Sequence, residues 1–360
     1  MRSTKITLFM LTTILASTAL AQPTDHDGPT FDGDGTVNVP AFRLPPSALS
    51  SQEARQAQAM RGRIPVGEMT SNETPDINSR RAQLDRMMSP RVAQMKALYP
   101  VDIKDGTIAG IRVRIITPKD GDFDPERILV NLHGGAFTVC WDSCSLVESL
   151  PIASLGKYKI VSVDYRMAPE NRHPAGVEDA AAVYRQLLNS YKAEHIGVFG
   201  CSAGGALTAQ LAAWLPANGL PQMGAAGIFG AGGVRFQSGD SAYVTAKTDG
   251  SFPGPAEDGT LEIDMTRGYF DGSDLDDPVL SPALHADVIK MFPPTLITTG
   301  TRAMDMSPAI YTNSQLLKAD VESTLIVGEA MGHCYQYNPA LPESRDAYAA
   351  TVKHFRKHLD

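Results

Sequence analysis

The chain is 360 residues long, 43% hydrophobic and 20% charged, with a formal net charge of -8. That length holds one large α/β domain or two smaller ones, and with no repeat and no sustained heptad the composition is that of an ordinary globular protein. The acidic balance argues against a nucleic-acid partner, which favours a basic face, but leaves the sign of any local site open.

The chain starts with a short basic run, Met1-Arg2-Ser3-Thr4-Lys5, then a largely apolar stretch over 6–15 and the small-residue signal Ala19-Leu20-Ala21. This is the pattern of a cleavable signal peptide over residues 1–21, with a mature start near Gln22. The apolar stretch falls short of the roughly 20 residues a spanning helix needs. No stable membrane anchor is therefore expected, and the protein is read as periplasmic or secreted. Disulfides persist in such compartments. Cys140, Cys144, Cys201 and Cys334 allow three full pairings, or buried free thiols, and sequence alone selects none of these.

Residues 22–75 are rich in Pro, Gly, Ser and Asp and begin as a flexible lead. Helices are predicted over 50–61 and 78–98; in the second, Leu84, Met87, Met88, Val92, Met95 and Leu98 recur at spacings of three and four. After Pro100 come β-rich runs at 111–116, 127–132, 158–163, 195–199, 224–229, 294–298 and 323–327. Several are nearly continuous in Ile, Val and Leu, as strands covered on both faces should be. Helical stretches alternate with them at 176–191, 203–215, 307–318 and 343–358. The alternation predicts an α/β fold, a mainly parallel central sheet flanked by helices. Residues 232–286 are Gly-, Asp- and Pro-rich and read as an insertion over one edge of that sheet.

Gly200-Cys201-Ser202-Ala203-Gly204 is a G-x-S-x-G pentapeptide. The pattern alone is weak, but it follows a predicted strand and opens a helix of small residues, the setting of a nucleophile elbow. The serine backbone in such a turn is strained, so residues two positions away must lack bulk. Ser202 then stands at a helix N-terminus, where free N–H groups favour negative charge. Upstream, Asn131-Leu132-His133-Gly134-Gly135-Ala136-Phe137 follows another strand, and its glycines let backbone amides approach a ligand closely. Acyl transfer needs donors where a carbonyl oxygen becomes negative, and losing one typically raises the barrier by about 3 kcal/mol. The N–H groups of Gly134, Gly135 and Ala203 are assigned to that oxyanion hole, and His133 to buttressing the turn.

A base must reach Ser202. Of eight histidines, His333 alone lies in the loop between the last predicted strand and the last helix; His26, His133, His173, His195, His285, His354 and His358 fall elsewhere. The remaining member should be a carboxylate after the preceding strand, in the order Ser, acid, His. Asp305 is the only acid between Gly300 and Lys318. It would accept from the second imidazole nitrogen. Its other reading is a charge at the N-terminus of the helix that begins near Ser307.

With these residues assembled, the chain resembles the hormone-sensitive-lipase-like esterases, the bacterial family IV branch of the α/β-hydrolases. The matching segments are 133–137, Asp164-Tyr165-Arg166-Met167-Ala168-Pro169-Glu170, Gly200 to Gly205, Asp277-Pro278-Val279-Leu280-Ser281-Pro282, and the stretch around His333. The resemblance covers about residues 95–358 and implies the α/β-hydrolase fold with a helical cap. Residues 50–98 and the insertion would form that cap, with a lead and N-terminal cap helices over 22–97 and a catalytic domain over 98–360. It also implies that segment 164–170 holds the oxyanion turn. Three positions depart from the family pattern: Ala136 replaces a third glycine, Cys201 replaces an acidic residue, and Ala303 stands where the acid commonly falls.

The expected reaction is hydrolysis of a small, short-acyl carboxylic ester or lactone through an acyl-enzyme, with no cofactor and no metal. An acyltransferase or amidase with the same residues, and a non-catalytic small-molecule-binding module, are the other classes this pattern admits.

Overall fold

The computed structural model describes residues 28–61, 76–249, 252, 254–256, 258–260 and 264–359. The expected signal peptide, the adjoining residues to 27 and His26 lie outside them. Two compact units divide the chain, residues 1–45 and 46–360. In the first, two short antiparallel strands, β1 (Thr30–Phe31) and β2 (Val37–Asn38), pair across a turn in which the Gly35 amide donates to the Asp32 carbonyl.

The second unit opens with two helices, α1 (Gln52–Arg61) and α2 (Ile77–Leu98). Asp76 caps α2 by accepting from the amides of Asn78 and Ser79. Strands β3 (Val101–Ile108), β4 (Ile111–Pro118) and β5 (Ile128–Leu132) lead into α3 (Trp141–Gly156). Then come β6 (Lys159–Val163), α4 (Ala175–Leu187), β7 (Ile196–Cys201), α5 (Ala203–Ala217) and β8 (Ala225–Phe229). The insertion contributes α6 (Asp240–Thr248) and ends at the short α7 (Ala286–Ile289). The chain finishes with β9 (Thr295–Gly300), α8 (Met306–Lys318), β10 (Ser323–Gly328) and α9 (Pro342–Leu359).

Among the described residues, eight strands form one sheet in the order β10-β9-β8-β7-β5-β6-β4-β3. The six from β10 to β6 run parallel, and β4 and β3 add antiparallel at one edge. The mainly parallel sheet is as predicted, and its strands divide their side chains with period two. In β5, Ile128, Val130 and Leu132 face α4, α5 and α8, while Leu129 faces α2, α3 and α9. The chain passes from β5 to β6 on one side and returns to β7 on the other. The carboxyl ends of β5 and β7 thus flank a switch point, where open α/β sheets bind ligands.

Some expectations need correction. The α3 helix and strand β3 were not predicted at all. On α2, Met88 and Met95 are buried and Leu84 and Val92 half-buried, but Met87 and Leu98 face solvent. Among the described residues no helix is long and apolar enough to cross a membrane.

All four cysteines are paired, Cys140 with Cys144 and Cys201 with Cys334, leaving none free. Thiol titration of denatured, unreduced protein should therefore find none; four titratable thiols would refute the pairing. The second bridge spans 133 residues. Chain-entropy arguments put removal of such a crosslink at about 5 kcal/mol and of a loop of about five residues at about 2. Cys201→Ser/Cys334→Ser should accordingly lower unfolding free energy more than Cys140→Ser/Cys144→Ser, as denaturant titration would show.

Candidate active site

Strand β7 delivers Ser202 into a turn with φ 60° and ψ −123°. A non-glycine residue pays steric strain in that region, and the surroundings must impose it. Here they do so by close approach. A Cβ on Gly204 would lie 1.7 Å, and one on Gly200 2.0 Å, from the carbonyl oxygen of Leu132 at the end of β5. Gly205 is similarly pressed against the Phe229 carbonyl, which also accepts the Ser202 amide at 2.8 Å. The G-x-S-x-G-G spacing is thus a packing requirement of the elbow against β5 and β8.

The turn after β5 lies against the elbow. Gly135 has φ 119°, and a Cβ there would sit 2.1 Å from the Val139 carbonyl. His133 is fully buried, stacked on Tyr165 with ring centroids 4.5 Å apart, and its Nδ1 lies 2.7 Å from the Gly134 carbonyl. Burial pushes the His133 imidazole down to about 4, so it stays neutral. The Tyr165 hydroxyl donates to the His133 carbonyl at 2.6 Å, and the Ala168 amide donates to the Phe137 carbonyl at 2.8 Å. Arg81 donates to the Thr138 carbonyl and pairs with Glu170. Segment 164–170 therefore holds the turn, as the resemblance implied.

One assignment is corrected. The Gly134 N–H donates to Glu148 Oε1 at 2.8 Å and is not free to meet an oxyanion. The Gly135 amide has no acceptor among the described residues. Ala203, first residue of α5, has no intrahelical acceptor by position. Two amides of the predicted three stay available.

On the other side, His333 follows β10, and its Nδ1 lies 2.6 Å from Asp305 Oδ1. Asp305 is fully buried, and its Oδ2 accepts from the Thr299 hydroxyl at 2.6 Å. It occupies the cap position of α8, but its side chain makes no capping bond and is spent instead on His333 and Thr299. Ala303 is buried without a carboxylate to offer; the carboxylate beside His333 comes from two residues further on. The rings of Phe236 and Phe252 stand edge-on to His333 at 5.2 and 5.1 Å. His333 Nε2 lies 3.6 Å from Cys334 Sγ, a disulfide sulfur with no hydrogen to donate. No hydrogen bond joins Ser202 to His333 among the described residues, which is common before substrate tightens a site. The Cys201–Cys334 bridge nonetheless links the residue before the serine to the residue after the histidine, with Cα atoms 6.3 Å apart.

Sequence reading missed Thr299, Phe236, Phe252, Tyr337 and Glu148. Only Thr299, six residues before Asp305 and one past the end of a predicted strand, carried a positional signal.

Residues 129–337 match the α/β hydrolase fold family. A versiconal hemiacetal acetate esterase of Emericella nidulans is 30% identical over 196 residues, which cover 53% of this chain and 67% of that protein. An acetyl-hydrolase of Streptomyces hygroscopicus is 29% identical over 229 residues, 61% of this chain and 72% of that one. A crystallised esterase superposes with a TM-score of 0.76 at 26% identity, covering 90% of this chain and 99% of its own. An esterase of the bacterial hormone-sensitive lipase family, 24% identical, has the same fold with a TM-score of 0.72 over 86% and 99%.

Asp305→Asn should keep the fold and lower kcat by about 10,000-fold, because an amide cannot hold the required imidazole tautomer. Steady-state rates with a matched melting temperature test this; activity within a few-fold of the parent would remove Asp305 from the site.

Proposed function

The chain belongs to the α/β-hydrolase fold family, and from that membership and the geometry above we propose that it is a serine carboxylesterase of the hormone-sensitive-lipase-like branch. The observation that carries the reading is the buried Asp305–His333 pair, bridged through Cys334 and Cys201 to a strained serine at a helix N-terminus. Ser202 Oγ attacks the ester carbonyl while His333 Nε2 takes its proton. Asp305 Oδ1 accepts from the Nδ1–H and stabilises the imidazolium. The N–H groups of Gly135 and Ala203 hold the oxyanion. The imidazolium then protonates the leaving alkoxide, and water deacylates the enzyme by the same steps in reverse order of proton transfer. No step calls for a metal or cofactor.

The names of two relatives, a hemiacetal acetate esterase and an acetyl-hydrolase, support short acyl groups as substrates. Phe236 and Phe252, both from the insertion, support its role as a cap that shields the imidazole from water. From the first two helices, Gln58 donates to the Ala330 carbonyl and Arg81 to Thr138, which supports counting them in the same cap. The leader-like residues 1–21 and two disulfides support export to the periplasm or medium.

A p-nitrophenyl ester series from acetate to decanoate should give the highest kcat/KM at two to four carbons. Ser202→Ala should reduce every rate to the non-enzymatic background. A parent protein with no turnover on any of these esters, or a Ser202→Ala variant as fast as the parent, would refute the proposed reaction.

A further inference from the structure

Helix α3 carries one carboxyl into the interior. Glu148 is 6% exposed and sits beneath the loops that the proposed reaction uses. Its Oε1 accepts from the Gly134 amide at 2.8 Å and from the Tyr337 hydroxyl. Its Oε2 accepts from Asn131 Nδ2 at 2.8 Å and from the Cys201 amide at 3.3 Å. The Asn131 Oδ1 is in turn occupied by the Ser162 hydroxyl at 2.6 Å, which leaves its amide nitrogen to face Glu148.

We infer that Glu148 is a positioning residue, the single group to which the oxyanion turn, the nucleophile elbow and the histidine loop are all tied. The inference rests on the esterase reading and deepens it. Each tie falls close to a reacting group. Gly134 precedes Gly135, Cys201 precedes Ser202, and Tyr337 lies four residues after His333 in a short 3-10 turn. Fixing those three points fixes the relative placement of the oxyanion donor, the nucleophile and the base.

The energetics argue against a merely structural carboxyl. Taking an ionised group out of water is costly, and a well-packed apolar side chain of similar volume is often no less stable. Burial pushes the Glu148 carboxyl up to about 7, against the pull of its four donors. All four are neutral, so no partner charge compensates the burial. A carboxylate is nevertheless the fitting group: it accepts at both oxygens and donates at neither, and four donors converge on it. A glutamine would turn an N–H₂ against two of them. The family resemblance expects an acidic residue immediately before the nucleophile. Here that residue is Cys201, held in a disulfide, and a carboxylate reaches its amide from α3 instead.

The test is kinetics of Glu148→Gln, Glu148→Asp and Tyr337→Phe in the full-length oxidised protein, with p-nitrophenyl acetate and with melting temperatures recorded. Misplacing catalytic groups by about 1 Å costs on the order of 100-fold in rate. Glu148→Gln should thus lose about 100-fold in kcat with KM within about threefold of the parent. Glu148→Asp should recover part of that loss, and Tyr337→Phe, which removes one tie and no charge, should lose about tenfold in kcat. Tyr337→Phe also decides the matter if Glu148→Gln does not fold. A folded Tyr337→Phe and Glu148→Gln with parental kcat, or losses confined to KM, would overturn the inference. An inactive parent would instead overturn the esterase reading.

Discussion

The contact on which the site depends is that of the elbow glycines with one backbone carbonyl. Leu132 ends β5, and its oxygen lies where side chains on Gly200 and Gly204 would have to be. That approach presses the turn carrying Ser202 onto the strand that launches the glycine turn, so Ser202 and the Gly135 amide come from adjacent strands at one switch point. It also accounts for the positive φ of Ser202: the backbone is held there by packing on both sides, from Leu132 and from Phe229. A side chain larger than hydrogen at either glycine would move the serine or the turn.

His333 is brought to this corner by separate means. Asp305 and Thr299 form a buried chain ending on His333, and the Cys201–Cys334 bridge joins the histidine loop covalently to the elbow. The bridge fixes how far apart the two loops can move, while the carboxylate fixes the rotation and tautomer of the ring. Asp305 stands two residues beyond the position the resemblance points to, just before α8, and its side chain still reaches Nδ1.

What could be read from the sequence follows from physical pattern. Strands β5, β7 and β8 are short and buried on both faces, so their apolar runs stood out. Strand β3 is a half-exposed edge, and Asp102, Lys104 and Asp105 broke its run. Helix α3 is buried almost all round and mixes serines, Pro151 and Glu148 with apolar residues, so it shows no amphipathic period. Its glutamate was invisible for that reason. His333 was singled out by position in chain order, whereas the use of the Gly134 amide depends on a partner that no local motif announces.

The most direct test that Ser202 is the nucleophile is mass spectrometry of the protein after exposure to a p-nitrophenyl alkylphosphonate, which captures a serine activated by its base and oxyanion donors. A single phosphonyl adduct is expected on the peptide containing Ser202, absent from His333→Ala. An adduct on another residue, or none on protein that hydrolyses esters, would contradict it.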